Sequence, residues 1–304
     1  MILPPDRENI ALAAQLIASG QLIGLPTETV YGIAVDAFQP DAVAKVFALK
    51  GRPAENPLIV HLASIGDVSR VAMDFSSEAQ ALAERFWPGP LTLVLRKRPE
   101  LPSIVTAGLD TVAVRVPAHP VCREVIRAAG AAVAAPSANR FMGVSPTRAE
   151  DIPDAIAEGL EAILDGGPCA IGIESTVVAM TGQKPVLLRL GGLPRAEIEA
   201  VVGPLDAVSE SPGGRASPGM YPRHYAPNAR VRIVNRVADD AAGLVIHGPP
   251  GGLRVRMPSD EQGYARALFR TLHELDGYGV EVIEVEAPPA DWEAVWDRLR
   301  RAST

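Results

Sequence analysis

The chain has 304 residues, 47% hydrophobic and 21% charged, a composition that argues against disorder and leaves room for about two domains. Twenty-nine basic residues against thirty-six acidic ones leave a net charge of −7, which speaks against bulk binding to nucleic acid, where affinity comes from Lys and Arg. Cys122 and Cys169 lie in unrelated contexts, which excludes a disulfide framework and a cysteine-rich zinc site.

The opening stretch MILPPDRENI carries Asp6 and Glu8 where a secretory leader needs basic and then apolar residues, so a cytoplasmic location is expected. Asp6 is placed to cap a helix whose Ile10, Ala14 and Ile17 recur at helical spacing, with Gly20 at its end. Runs rich in Val, Ile and Leu predict strands at residues 22–25, 57–62, 91–95, 112–116, 131–135, 162–164, 175–178 and 186–190. Helical periodicity falls at residues 41–49, 77–86, 119–129 and 154–161. The interleaving lacks a strict βαβα rhythm, which predicts an α/β domain with a mixed sheet over residues 1–204. No apolar run approaches the ~18 residues needed to cross a bilayer, so no membrane partner is expected.

Residues 205–229 are dense in Pro, Gly and Ser and read as a linker. A passive tether, however, has no need of the chemistry in MYPRHY, Met220 to Tyr225. Beyond it, residues 230–304 predict a small α/β domain with strands at 231–234, 244–247 and 280–285 and helices at 263–275 and 292–301. The short connection at 237–242 leaves no room for a helix between the first two strands, so a shortened Rossmann-like domain is expected.

Several familiar sites are missing: no GxxxxGK[ST] phosphate loop, no completed GxGxxG, no HExxH and no GxSxG. What remains is a set of strand-end loops rich in hydroxyls and cations. LPTETVYG places Thr27, Thr29 and Tyr31 around Glu28 just after a strand, where α/β proteins collect ligand groups. KGRPAEN sets Lys50 and Arg52 either side of a glycine, two donors suited to a polyphosphate, though a solvated charge pair fits as well. Strand alternation adds a further pattern. Arg115 falls opposite Val112, Val114 and Val116; His61 falls opposite Leu58, Val60 and Leu62; Arg189 falls opposite Leu188 and Leu190. Three strands thus each carry one cationic or titratable group opposite an aliphatic row, which fits a cleft for anions better than one exposed sheet face. Ser137 and Asn139 in APSAN, Ser145 in GVSP and Ser175 in GIEST complete a lining of small and hydroxyl-bearing residues.

In these segments the chain resembles the Sua5/YrdC family, the L-threonylcarbamoyladenylate synthases. The resemblance is carried in order by LPTETVYGIAVDA, LKGRPAENPLIVHLAS, RFWPGPLTLVL, VAVRVPAH, APSANRFMGVSPT, DGGPCAIGIESTVV and LLRLGG, with SPGMYPRHYAP and the trailing domain pointing to the longer Sua5 form. It implies a twisted mixed sheet with helices around a concave cavity. It also implies synthesis of threonylcarbamoyl-AMP and pyrophosphate from L-threonine, bicarbonate or CO2, and ATP with Mg2+, the product being handed to a tRNA threonylcarbamoyl transferase, so that tRNA binding is not required here. By motif, threonine contacts are expected at Thr29, His61, Arg115 and Ser175, with Arg115 pairing the substrate carboxylate. ATP contacts are expected at Arg52, Asn56, Thr111, Ala135, Ser137, Ser145, Arg189 and Tyr225, and Lys50 should face bicarbonate or phosphate oxygens. The linker is then expected to fold back as a lid through Tyr225. Two other readings compete: a carbamoyl-adenylate or carbamoyl-transfer enzyme on the same domain, and an RNA-binding protein.

Overall fold

The computed structural model describes residues 1–207, 221 and 223–304. Of the expected linker and lid, residues 208–220 and 222 lie outside the described residues. A 12-stranded mixed sheet organises the first domain, and a four-stranded sheet the second. Through the middle of the large sheet run Ile59–His61, Thr111–Arg115, Leu91–Lys97, Thr176–Ala179 and Val186–Arg189, in that spatial order. The first pair is parallel, with His61 opposite Arg115, and the last pair is antiparallel.

Alternation decides what each face of this sheet does. Leu58, Val60, Leu62, Val112, Val114 and Val116 enter the main core. Ile59 and Ala113 turn the other way, into a small cluster with Val94 and Val177. His61 and Arg115 share that second face, so the spacing that buries the valines also delivers the polar groups together.

Local chemistry sets the helix ends. Asp6 caps the helix Arg7–Ala18 by accepting from the Asn9 amide at 2.9 Å. The helix Pro40–Lys50 stops at Gly51, which takes the left-handed conformation at φ 61°. That turn brings both Lys50 and Arg52 inward, where each is buried.

Several elements form where no element was expected, among them a strand and a helix of the first domain. The strand Gly32–Asp36 is covered on both faces, so its apolar run GIAV shows no alternation to read. The helix Arg195–Val202 follows Pro194 and buries Ile198 alone. The helix expected over 154–161 is only Asp154–Ala157, since Gly159 lies close behind it.

The second sheet is parallel throughout, ordered Arg230–Val234, Val282–Glu286, Ala242–Val245 and Arg254–Arg256. Among the described residues no helix joins its first and second strands in sequence. The helices Glu261–Gly277 and Glu293–Ala302 cover it. Its core of Leu268, Phe269, Ile283, Val285 and Leu299 also takes in Val30, Val144 and Ile173 from the first domain, and Tyr225. Cys122 and Cys169 are both buried free thiols, and burial pushes the Cys122 thiol up to about 12. Among the described residues, no helix is long and apolar enough to cross a membrane.

Candidate functional site

A cleft opens on the face that carries His61 and Arg115. Its first wall is the 27–31 turn. Thr27 Oγ1 accepts from the amides of Thr29 and Val30 at 3.2 and 3.1 Å and donates to the Val30 carbonyl at 2.6 Å, closing the turn on itself. This fixes Thr29, whose Oγ1 accepts from Arg115 Nη1 at 2.9 Å. Arg115 is held on two further sides, by the Gly89 carbonyl at 3.2 Å and by Glu28 in an ion pair of 2.7 Å. Beside it, burial and then the Arg115 charge push the His61 imidazole down to about 3. His61 is therefore neutral at physiological pH, and its buried Nδ1 has no partner among the described residues.

The second wall is cationic. Arg52 reaches in from the Gly51 turn, its Nε and Nη2 donating to the carbonyls of Asn56 and Pro57 at 3.1 and 2.7 Å. Arg189 donates to the Ser175 carbonyl from Nε and Nη2, at 3.1 and 2.9 Å, and from Nη2 to Ser175 Oγ at 3.1 Å. A register shift between Val177 and Val178 interrupts the alternation of the neighbouring strand, separating Leu187 in the main core from Arg189 in the cleft. Burial lowers the Arg52 guanidinium to about 9, with nearby Arg189 adding to the effect while Tyr221 and Tyr225 oppose it. Arg189 is lowered too, chiefly by burial. Two guanidinium groups, both lowered by burial and one lowered further by the other, form a site that an anion would relieve. Ala135 and Ser137 line the same cleft.

His224 and Tyr225 close it from the linker. Tyr225 adopts a left-handed backbone at φ 59°, stacks on Phe269 at 5.6 Å, and buries its hydroxyl with no partner among the described residues. The His224 imidazole lies well below its ordinary range, from burial and then from Arg52 and Arg189.

The cleft thus gathers Thr29, Arg52, His61, Arg115, Ala135 and Ser137 from the first half of the chain, and Ser175, Arg189 and Tyr225 from the second. With exposures of 8, 3 and 7%, Arg52, Arg115 and Arg189 are not solvated surface charges. Four expected residues are placed otherwise. Thr111 pairs with Arg96 at the far end of the strand that ends in Arg115, about 13 Å from it at 3.3 Å per residue, so it is not brought to the cleft. Lys50, expected to face anion oxygens, is turned instead onto the carbonyls of Ser137 and Asn139 at 2.5 Å each, where it props the loop that lines the cleft. Burial, and then Arg52, hold its ammonium well below the usual lysine range. Asn56 is fully buried behind Arg52, to which it offers its carbonyl. Ser145 is one bond removed, donating to Glu174 Oε1 at 2.6 Å.

Glu28, Glu174, His224 and Arg298 were not singled out by residue pattern. Glu28 and Glu174 sit inside segments chosen for their hydroxyls, and their adjacency to those hydroxyls was the available signal. His224 stood in the MYPRHY cluster. Arg298 gave none, since an arginine among the charges of DRLRR reads as a solvated helix face. Among the described residues, no group of three His, Cys, Asp or Glu side chains is placed to hold a metal ion.

The family model Sua5/YciO/YrdC, described as "Telomere recombination", matches residues 15–191, and the model "Threonylcarbamoyl-AMP synthase, C-terminal domain" matches residues 193–304. The threonylcarbamoyl-AMP synthase of Pyrococcus abyssi is 42% identical over 319 residues, covering 97% of this chain and 94% of that protein. That of Bacillus subtilis is 42% identical over 258 residues, covering 84% of this chain and 75% of its own. The crystal structure of P. abyssi Sua5 complexed with L-threonine superposes with a TM-score of 0.92 at 39% identity, over 100% of this chain and 97% of that one.

Proposed function

The chain belongs to the Sua5/YrdC family, and from that premise we propose that it is an L-threonylcarbamoyladenylate synthase, a nucleotidyltransferase acting on ATP. The observation that carries the reading is the meeting of Arg52, Arg115 and Arg189, from three distant stretches, in one buried cleft. A single amino-acid carboxylate does not need three guanidinium groups; an amino acid lying beside a nucleotide does. Arg115 pairs the threonine carboxylate, with Thr29, His61 and Ser175 around the rest of the amino acid. Neutral His61 suits this place, because an imidazolium would add charge where the threonine amine must be free to react. Arg52 and Arg189 face the phosphates, Ala135 and Ser137 form the floor beneath the nucleotide, and Tyr225 covers it.

In the reaction, the neutral threonine amine adds to CO2 and loses a proton to give a carbamate. A carbamate oxygen attacks the α-phosphorus of ATP, the bond to the bridging oxygen breaks, and pyrophosphate departs with that electron pair. The leaving charge is met by Arg52 and Arg189, and a Mg2+ ion brought in with the nucleotide would supply further charge neutralisation. No covalent nucleophile is required, so catalysis is positioning and charge stabilisation. Lys50 and Asn56 support this half from behind, through the Ser137–Asn139 carbonyls and through Arg52. A lid matters because both carbamate and mixed anhydride hydrolyse in water. The product is an activated acyl group for a separate tRNA-modifying transferase.

The test is direct. Protein, ATP, Mg2+ and bicarbonate should release pyrophosphate only when L-threonine is added. Turnover without threonine would favour carbamoyl transfer, and no turnover together with salt-sensitive RNA binding would favour an RNA-binding role.

A further inference from the structure

We infer that Arg298, a residue of the C-terminal domain, is the positioning residue of the nucleotide half of the cleft, acting through Glu174 and Tyr225; the inference rests on the synthase reading above. Arg298 is fully buried although its helix, Glu293–Ala302, is otherwise rich in solvated charge. Its Nε donates to Glu174 Oε2 at 2.8 Å. Its Nη1 donates to the Leu190 carbonyl at 2.9 Å and to the Asp297 carboxylate at 2.8 Å. Its guanidinium carbon lies 4.9 Å from the centre of the Tyr225 ring.

One planar cation therefore fixes three parts of the nucleotide side at once. Glu174 lines the cleft, and its other oxygen accepts from Ser145 Oγ. Leu190 follows Arg189 in the chain, so holding its carbonyl holds the backbone that aims the Arg189 guanidinium. Tyr225 has a left-handed backbone and a hydroxyl without a partner among the described residues, so its ring is located by Phe269 and Arg298. No bond from Arg298 reaches Thr29, His61 or Arg115 among the described residues. Ser175, next to Glu174, keeps its own bonds to Thr92 and Arg189.

A domain seam that needed only stability could use a packed apolar pair, because burying two charges is costly and an ion pair recovers little beyond that cost. An arginine adds what an apolar pair lacks: a rigid fork that dictates the angle between Glu174, the Leu190 carbonyl and a stacked ring. The C-terminal domain on this account is part of the nucleotide site, although it contributes no atom to the chemistry.

The experiment compares KM for ATP and for threonine, from pyrophosphate release, in the wild type and two variants. Arg298→Met alone would strand the buried Glu174 charge, so the first variant is the double Glu174→Gln/Arg298→Met, which is neutral and keeps a partner for Ser145. It is expected to melt near the wild-type temperature, yet to raise KM for ATP about tenfold or more while KM for threonine stays within about twofold. The second is Arg298→Lys, which keeps the charge but not the fork, and is expected to raise KM for ATP about threefold or more at an unchanged melting temperature. Wild-type KM values in a folded double variant, or equal rises in both KM values, would overturn the inference and leave Arg298 a structural pair. Should the double variant not fold, the lysine variant decides by the same criterion. A wild type without threonine-dependent pyrophosphate release would defeat the synthase reading itself, and this inference with it.

Discussion

Arg52 illustrates how much rests on a single side chain. It is buried, it bonds the carbonyls of Asn56 and Pro57, and burial with a neighbouring Arg189 pulls it down to about 9. Arg52→Ala should lower the rate of threonine-dependent pyrophosphate release by about 10²–10³, the range for losing one donor to a developing charge; a wild-type rate would remove Arg52 from the reacting groups. His61 makes a prediction of the opposite kind. Its folded pKa of about 3 lies below the ordinary 6.5, so the unfolded chain takes up the proton first. Stability is then full above about pH 6.5 and is lost as the pH falls toward 3, and His119, His224 and His273, all lowered chiefly by burial, act in the same direction. The melting temperature should fall steadily between about pH 7 and 4, while the rate shows no step near 6.5 from His61. His61 and Arg115 were legible because a period of two sets a charge against an aliphatic row; at Arg189 that period put Leu187 on the same face, and the structure separates the two. Glu28 and Glu174 were not, because no local rule says which carboxylate will meet an arginine some 90 or 120 residues away.

At the scale of elements, the backbone approach between the 189–192 loop and residues 174–175 sets the geometry of the cationic wall. A Cβ on Gly191 would collide with the Glu174 carbonyl oxygen and the Ser175 carbonyl carbon, backbone atoms that cannot swing aside. Gly191→Ala should therefore cost about 1–3 kcal/mol in denaturant unfolding and slow turnover, because Ser175 and Arg189 must shift together. Equal stability and rate would show that the wall relaxes freely. The strands through His61 and Arg115 were legible as alternation, with one face in the main core and one toward the cleft. Gly32–Asp36, buried on both faces, offered no such contrast, and the register shift that redirects Arg189 involves two strands at once, so neither strand alone announces it.

At the scale of the molecule, two domains were foreseen, but not that they share a core. Val30, Val144 and Ile173 belong by sequence to the first domain and pack with Leu268, Phe269 and Leu299 of the second, and Arg298 crosses the seam to Glu174. Neither domain can unfold without baring the other's apolar surface. Calorimetry should accordingly show one cooperative transition, and ATP with threonine should raise its temperature; two resolved transitions would mean that the seam carries little coupling. The periodicities within each half could not reveal this, because each describes burial without naming the partner that provides it. The two native thiols have a practical consequence. Both Cys122 and Cys169 are enclosed and held as unreactive thiols rather than thiolates. A cysteine engineered on the exposed surface, at Tyr278 for example, would be the one position a maleimide dye labels in the folded protein, so fluorescence reporters can be attached without first stripping out the natural sulfhydryls.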